Sequence, residues 1–248
     1  MKKRGRIAVA FLIAASLYGY APLAEAQAPL RCGPFMQGEL SPPTPRQNGH
    51  ARARFDQINT AVKAQPHRVL FLGDSLTEGF DHEVWEQHMA PRRVLNAGIG
   101  GDRTDHLRWR LEHGNLDGPP PQGVVLLIGT NDLGYERPTE VAAEGVRATL
   151  LQLRRRVPGA EILLLGLLPR EDIPRIVERH EIAAVNRMIE SCADGGAIRY
   201  ADLGRFLLGP DGRLLPQISP DRLHFNTQGY ARLAPALDSA IDGLLGGR

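Results

Sequence analysis

The chain has 248 residues, of which 42% are hydrophobic and 23% charged. That hydrophobic share is ample for a packed core and excludes a chain that is disordered throughout. The formal net charge is +2, but four basic residues and one acidic residue lie in the first 26 positions; the rest carries 26 basic and 27 acidic side chains, a net of −1. A nearly neutral body gives no support to nucleic acid as a partner.

The first elements are not part of the fold. Lys2, Lys3, Arg4 and Arg6 form a positive start, and Ile7 to Leu17 is an apolar run broken by Ser16. Ala24-Glu25-Ala26 supplies small residues at the positions a signal peptidase reads. The pattern predicts a secretory signal peptide over 1–26, cleaved after Ala26, and a periplasmic or secreted protein. The apolar run is much shorter than the ~20 residues that cross a bilayer, so no stable membrane insertion is expected after cleavage. Arg31 before Cys32 disfavours a lipid anchor there.

Residues 27–66 are rich in Pro and Arg and read as an N-terminal extension packed on the domain, with a short helix near Arg52 to Ala64. Cys32 and Cys192 are the two cysteines of the chain. An oxidising compartment would allow them to pair, but sequence leaves their distance open. There is no second thiol pair for a zinc site, and His82 and His88 are six apart where a zinc-protease helix needs four. No metal or organic cofactor is expected.

From residue 67 to 248 the chain reads as one domain. Apolar runs at 68–72, 93–97, 123–128 and 161–165, and a weaker one at 197–201, read as strands. Their continuous hydrophobicity suits strands covered on both faces. Helices are predicted over 138–157, 173–192 and 227–245. Such alternation implies a parallel sheet flanked by helices, with ligands beyond the carboxyl ends of the strands.

The chemistry-bearing residues follow those ends. Gly73-Asp74-Ser75-Leu76-Thr77-Glu78-Gly79 puts a serine at a strand-to-helix turn, where free N–H groups favour developing negative charge. The same serine would equally serve as a plain helix cap. Thr77 stands where the α/β-hydrolase elbow has its second glycine, so this is a different turn. Gly98-Ile99-Gly100-Gly101-Asp102 permits backbone conformations that aim N–H groups into a site, or simply makes a tight turn. Without a following Gly-Lys-Ser/Thr it is no nucleotide loop. Asn131, after the third strand, is either a turn former or an oxyanion donor. Asp221 and His224 place a carboxylate and an imidazole on one segment, the pair that orients a general base.

Taken together, these four blocks in this order resemble the GDSL or SGNH hydrolase family, over about residues 68–245. Gly98 to Thr104, Leu107 to Leu111 and Leu165 to Arg170 look especially like the catalytic subunits of intracellular platelet-activating-factor acetylhydrolase. The export signal and extension depart from that subgroup. The resemblance implies a flavodoxin-like three-layer α/β/α sandwich with a five-stranded parallel sheet ordered 2-1-3-4-5. It implies a serine esterase with Ser75 as nucleophile, His224 as base and Asp221 as its orienting carboxylate. The oxyanion hole would comprise the N–H groups of Ser75 and Gly101 and the amide of Asn131. Asp74, Trp109 and Leu168 are candidate substrate contacts, with structural roles open for each. The expected substrate is a small-molecule or glycan ester of a short acyl group, acetyl first. Longer acyl chains, as in a lysophospholipase or thioesterase, and a binding protein without turnover are the competing readings. A homodimer is compatible with the resemblance, although no hydrophobic stripe demands one.

Overall fold

The computed structural model describes residues 29–64, 66–135, 137–171 and 177–246. The expected signal peptide lies outside them. Five strands form one parallel sheet: β1 (Val69–Gly73), β2 (Val94–Gly98), β3 (Gly123–Leu127), β4 (Glu161–Leu165) and β5 (Ile198–Ala201), in the order β2-β1-β3-β4-β5. Each strand lies within a residue of its expected bounds, and the order is the one the resemblance implies. Gly73 pairs in register with Gly98 and Leu127, so the turns after β1, β2 and β3 emerge side by side.

Alternation of side chains across the pleat explains the continuous apolar runs. Leu70, Leu72, Val124, Leu126, Ile162 and Leu164 enter one core. Val69, Phe71, Val125, Leu127, Leu163 and Leu165 enter the other. The first core is closed by α1 (Gly49–Ala64), α4 (Thr104–Glu112), α6 (Thr139–Arg156) and α7 (Val177–Glu190), through residues such as Ile58, Leu107, Leu150 and Val185. The second is closed by α2 (Ser75–Glu78), α3 (His82–His88) and α8 (Thr227–Gly246), through Leu76, Val84, Leu237 and Ile241. The short α5 is Thr130–Gly134. The result is a three-layer α/β/α sandwich. Pro235 sits inside α8 on its exposed side, as does Ala231, whose carbonyl it deprives of a helical partner.

α1 starts before the expected Arg52 because Asn48 caps it, its side chain accepting from Ala51 N at 2.7 Å. The helix expected from 173 is seen from Val177; residues 172–176 lie outside the described ones.

Residues 29–48 form a strap along the first helical layer. Cys32 and Cys192 are joined in a disulfide, which settles the pairing that sequence left open. Farther along, Phe35 N donates to Glu144 of α6 at 2.9 Å. Ser41 O accepts from Arg108 of α4 at 3.1 Å, and Thr44 N donates to Asp105 O at 3.3 Å. The strap thereby reaches the carboxyl edge of the sheet.

Candidate active site

Ser75 opens α2 directly after β1. The capping position belongs to Asp74, whose Oδ1 accepts from Leu76 N at 2.9 Å. Asp74 therefore takes the capping role that sequence left open for Ser75, and the half-buried serine has its hydroxyl available for other partners. The helix can lie this close to the sheet because residue 98 is glycine: a Cβ there would come within 2.2 Å of Glu78 N and 2.8 Å of Asp74 O. Tyr230 of α8 supports the helix from below, its hydroxyl donating to Leu76 O at 3.0 Å.

Asp221 and His224 arrive from the segment before α8. Arg222 between them has φ of 65°, a left-handed backbone that non-glycine residues adopt at a cost. This turn folds the Asp221 carboxylate back on its own neighbours. Its Oδ1 accepts from Leu223 N at 3.0 Å and His224 N at 2.7 Å. Its Oδ2 lies 2.7 Å from His224 Nδ1, and His224 Nε2 lies 2.9 Å from Ser75 Oγ. A carboxylate only accepts, so Nδ1 carries the proton and Nε2 is left to accept from the serine hydroxyl. Desolvation pushes the Asp221 carboxyl up, but the bonds from the His224 ring and the two backbone N–H groups outweigh it, and its pKa falls below the usual value. The three side chains form one hydrogen-bonded line that can take a proton from Ser75 and return it.

The turn after β2 flanks the serine. Asp102 N donates to Ile99 O at 3.1 Å, closing a turn over Gly100 and Gly101. Gly101 has φ of 75°, which a side chain would rarely allow. Asn131, at the start of α5, donates through Nδ2 to Asp102 O at 2.9 Å. The structure thus brings Ser75, Gly101, Asn131, Asp221 and His224 to one edge.

It buries two of the other candidates. Asp74, next to Ser75, is 1% exposed, and Leu168 is 4% exposed within the second core, so neither offers surface to a substrate. Both are corrected to structural roles: Asp74 caps α2, and Leu168 packs. Trp109 is partly exposed but lines a cavity of about 260 Å³ bounded by α1, α4 and the strap, with Arg46, Ile99 and Asp102 also in its wall. There its ring lies 5.3 Å from that of Phe55.

Buried ions brace the edge from beneath. Arg110 donates to Asp102 Oδ2 at 2.7 Å, to Asn115 Oδ1 at 2.7 Å and to Gly73 O at 2.9 Å. Burial raises the Asp102 pKa and lowers that of Arg110, and their pairing opposes both shifts. Asp132 accepts from Thr104 N at 2.9 Å and Thr104 Oγ1 at 3.0 Å, joining α5 to α4. Burial also drives the Asp74 carboxyl up, against the Leu76 N–H bond, to about 7.

A cavity of about 290 Å³ opens at the serine, walled by His50, Ser75, Glu78, His224, Phe225 and Tyr230. His50 Nε2 lies 2.9 Å from Glu78 Oε1. Sequence reasoning missed both residues. Glu78 stands one helical turn after Ser75, a spacing that signals a shared face. Nothing local marked His50, which the fold alone carries to the site. Among the described residues, no group of three or more His, Cys, Asp or Glu side chains is arranged to hold a metal ion.

Residues 71–232 match the GDSL-like Lipase/Acylhydrolase family. The chain is 32% identical over 219 residues to human platelet-activating factor acetylhydrolase IB subunit alpha1, covering 85% of this chain and 94% of that protein. It is 35% identical over 179 residues to subunit alpha2 from Rattus norvegicus, covering 71% and 77%. Its fold is similar to a GDSL-like lipase from Bacteroides thetaiotaomicron, at TM-score 0.64 and 22% identity, over 77% of this chain and 97% of the other. It is also similar to an acetyl xylan esterase, at TM-score 0.60 and 23% identity, over 70% and 98%.

Proposed function

We propose, from the premise that the chain belongs to the GDSL-like lipase/acylhydrolase family and is a carboxylic ester hydrolase, that it removes short acyl groups, acetyl first, with Ser75 as nucleophile. The observation that carries this reading is the hydrogen-bonded line from Asp221 through His224 to Ser75. In the reaction, Ser75 Oγ attacks the ester carbonyl while His224 Nε2 takes its proton. His224 then gives that proton to the departing alcohol oxygen, leaving an acyl-serine. Water, deprotonated by the same imidazole, hydrolyses the acyl-serine and restores the hydroxyl. Asp221 holds the imidazole in the required tautomer and stabilises its charged form.

The tetrahedral oxyanion is received by the N–H groups of Ser75 and Gly101 and by Asn131. The Asn131 amide has two N–H donors, so the bond to Asp102 O leaves one for the oxyanion. A cavity of about 290 Å³ with a partly polar wall supports a small acyl group. Relatives named for acetylhydrolase and acetyl xylan esterase activity support acetyl and, for the alcohol, a sugar or other small polyol. The N-terminal pattern over 1–26 and the Cys32–Cys192 disulfide support a site of action outside the cytoplasm.

The test is hydrolysis of p-nitrophenyl esters of increasing chain length, beside Ser75→Ala. Turnover should peak at acetate or butyrate and fall by about 10⁴-fold or more in the variant. Turnover confined to long chains would overturn the short-acyl reading. Full activity in Ser75→Ala would overturn the nucleophile.

A further inference from the structure

The turn from Ile99 to Asp102 belongs to one of two turn classes that differ by a flip of the central peptide. A positive φ at its third residue, Gly101, marks the turn class whose central peptide points one way. In the commoner class that peptide is turned over and its N–H points to the opposite side. The peptide in question joins Gly100 to Gly101, so it carries the Gly101 N–H. Glycine at both central positions makes the exchange sterically easy. Something other than side-chain bulk must hold the turn.

Two charged side chains grip the peptides on either side of it. Before it, Gly100 N donates to Glu78 Oε2 at 2.5 Å. After it, Gly101 O accepts from Arg46 Nη1. The Arg46 guanidinium also lies where a Gly101 side chain would be, with Nη1 2.7 Å from an ideal Cβ. The turn is adjacent to the nucleophile: an ideal Cβ on Gly100 would sit 3.8 Å from Ser75 Cβ. Glu78 comes from α2, but Arg46 comes from the strap, 29 positions before Ser75. The strap is pinned at its far end by the Cys32–Cys192 disulfide and along its course by α6 and α4.

We propose that Arg46 is a positioning residue for the hydrolytic reaction, holding the 99–102 turn so that the Gly101 N–H faces the oxyanion, and that the N-terminal strap is therefore part of the active site. A guanidinium suits this task, because it places a rigid donor and a fixed positive charge next to the peptide that receives developing negative charge. Loss of Arg46 leaves the turn free to populate the other class, which withdraws one oxyanion donor for part of the time. The ground-state ester binds without that donor, so turnover falls and substrate affinity does not. The inference rests on Ser75 chemistry with an oxyanion at Gly101.

The experiment compares Arg46→Met, Arg46→Lys, Arg52→Ala and Ser75→Ala in the full-length protein, with p-nitrophenyl acetate as substrate and a trifluoromethyl ketone as oxyanion-forming inhibitor. Arg52 lies in the same region and donates to Gln47 O at 2.7 Å, so its loss loosens the strap end without touching the turn. Arg46→Met should lower kcat about tenfold at unchanged KM, less than the 100- to 1,000-fold expected for removal of a donor itself. Inhibition by the ketone should weaken by the same factor. Arg46→Lys, which keeps the charge and one donor, should recover to within about threefold of the parent, and Arg52→Ala should match the parent. Parent-like kcat in Arg46→Met, or equal losses in Arg46→Met and Arg52→Ala, would overturn the proposal. If Arg46→Met fails to fold, Arg46→Gln, which also removes the charge, takes its place: lowered kcat at unchanged KM supports the proposal, and parent-like kinetics overturn it. Loss of activity in Ser75→Ala beside a parent-like Arg46→Met would sink this inference alone; full activity in Ser75→Ala would sink the underlying reading.

Discussion

Asp74 and Ser75 are neighbours with opposite environments. The serine is half-buried at the cavity, while the aspartate is sealed beneath α2 with its carboxyl raised to about 7, chiefly by desolvation. Between pH ~4 and ~7 the folded chain keeps the Asp74 proton and the unfolded chain has released it. This contribution to stability is therefore full below pH ~4 and is lost as pH rises towards 7. Asp74→Asn keeps an oxygen to cap Leu76 N and removes the titration. Relative to the parent it should gain stability steadily from pH 4 to 7.5, by roughly 4 kcal/mol at most. Thermal unfolding of both proteins across that range checks it, and parallel curves would show that Asp74 is ionised throughout. Asp221 behaves the other way: its lowered pKa keeps it ionised, and able to orient His224, to below the usual carboxylate range.

At the scale of elements, the site depends on how closely α2 approaches the sheet. One turn of helix has almost no stability of its own, so packing must hold it. Leu76 is buried in the second core, the Tyr230 hydroxyl donates to the helix backbone, and Gly98 leaves the space that a methyl group would fill. Gly98→Ala would place a carbon 2.2 Å from Glu78 N, a backbone atom that can yield only if α2 moves. The expected cost is about 1–3 kcal/mol or more. Because Ser75 moves with the helix, activity should fall beyond what the loss of folded protein explains. Denaturant unfolding and active-site titration with an organophosphate check both parts. Equal stability and full titration would mean that the helix shifts without cost.

On the scale of the whole molecule, the Cys32–Cys192 bond spans 160 positions and fastens the strap to the end of α7. Closing a loop of that length restricts the unfolded chain, and such bonds typically stabilise by about 2–4 kcal/mol. A Cys32→Ser, Cys192→Ser double variant should melt at a lower temperature by several degrees, as should the reduced parent. If the strap serves the oxyanion turn as proposed, the same variant should lose kcat well below its melting temperature, and KM should stay constant. A differential scanning measurement beside an esterase assay separates the two effects.

The sequence by itself determined the sheet and the candidate reacting groups. Continuous apolar runs mark the central strands β1, β3 and β4, covered on both faces because alternate side chains must enter two separate cores, and weaker runs mark the edge strands β2 and β5. Ser75, Gly101, Asn131, Asp221 and His224 each stand beside a glycine, a strand end or a short polar segment, and those local signals survive in one dimension. The tertiary structure decided the rest. Asp74 and Leu168 differ from surface residues only in what covers them, which no local pattern records. Trp109 faces a cavity made by α1, so its surroundings depend on an element about 45–60 positions earlier. His50, Arg46 and the disulfide reach the site or its supports through long-range closure, and only the folded chain specifies those distances.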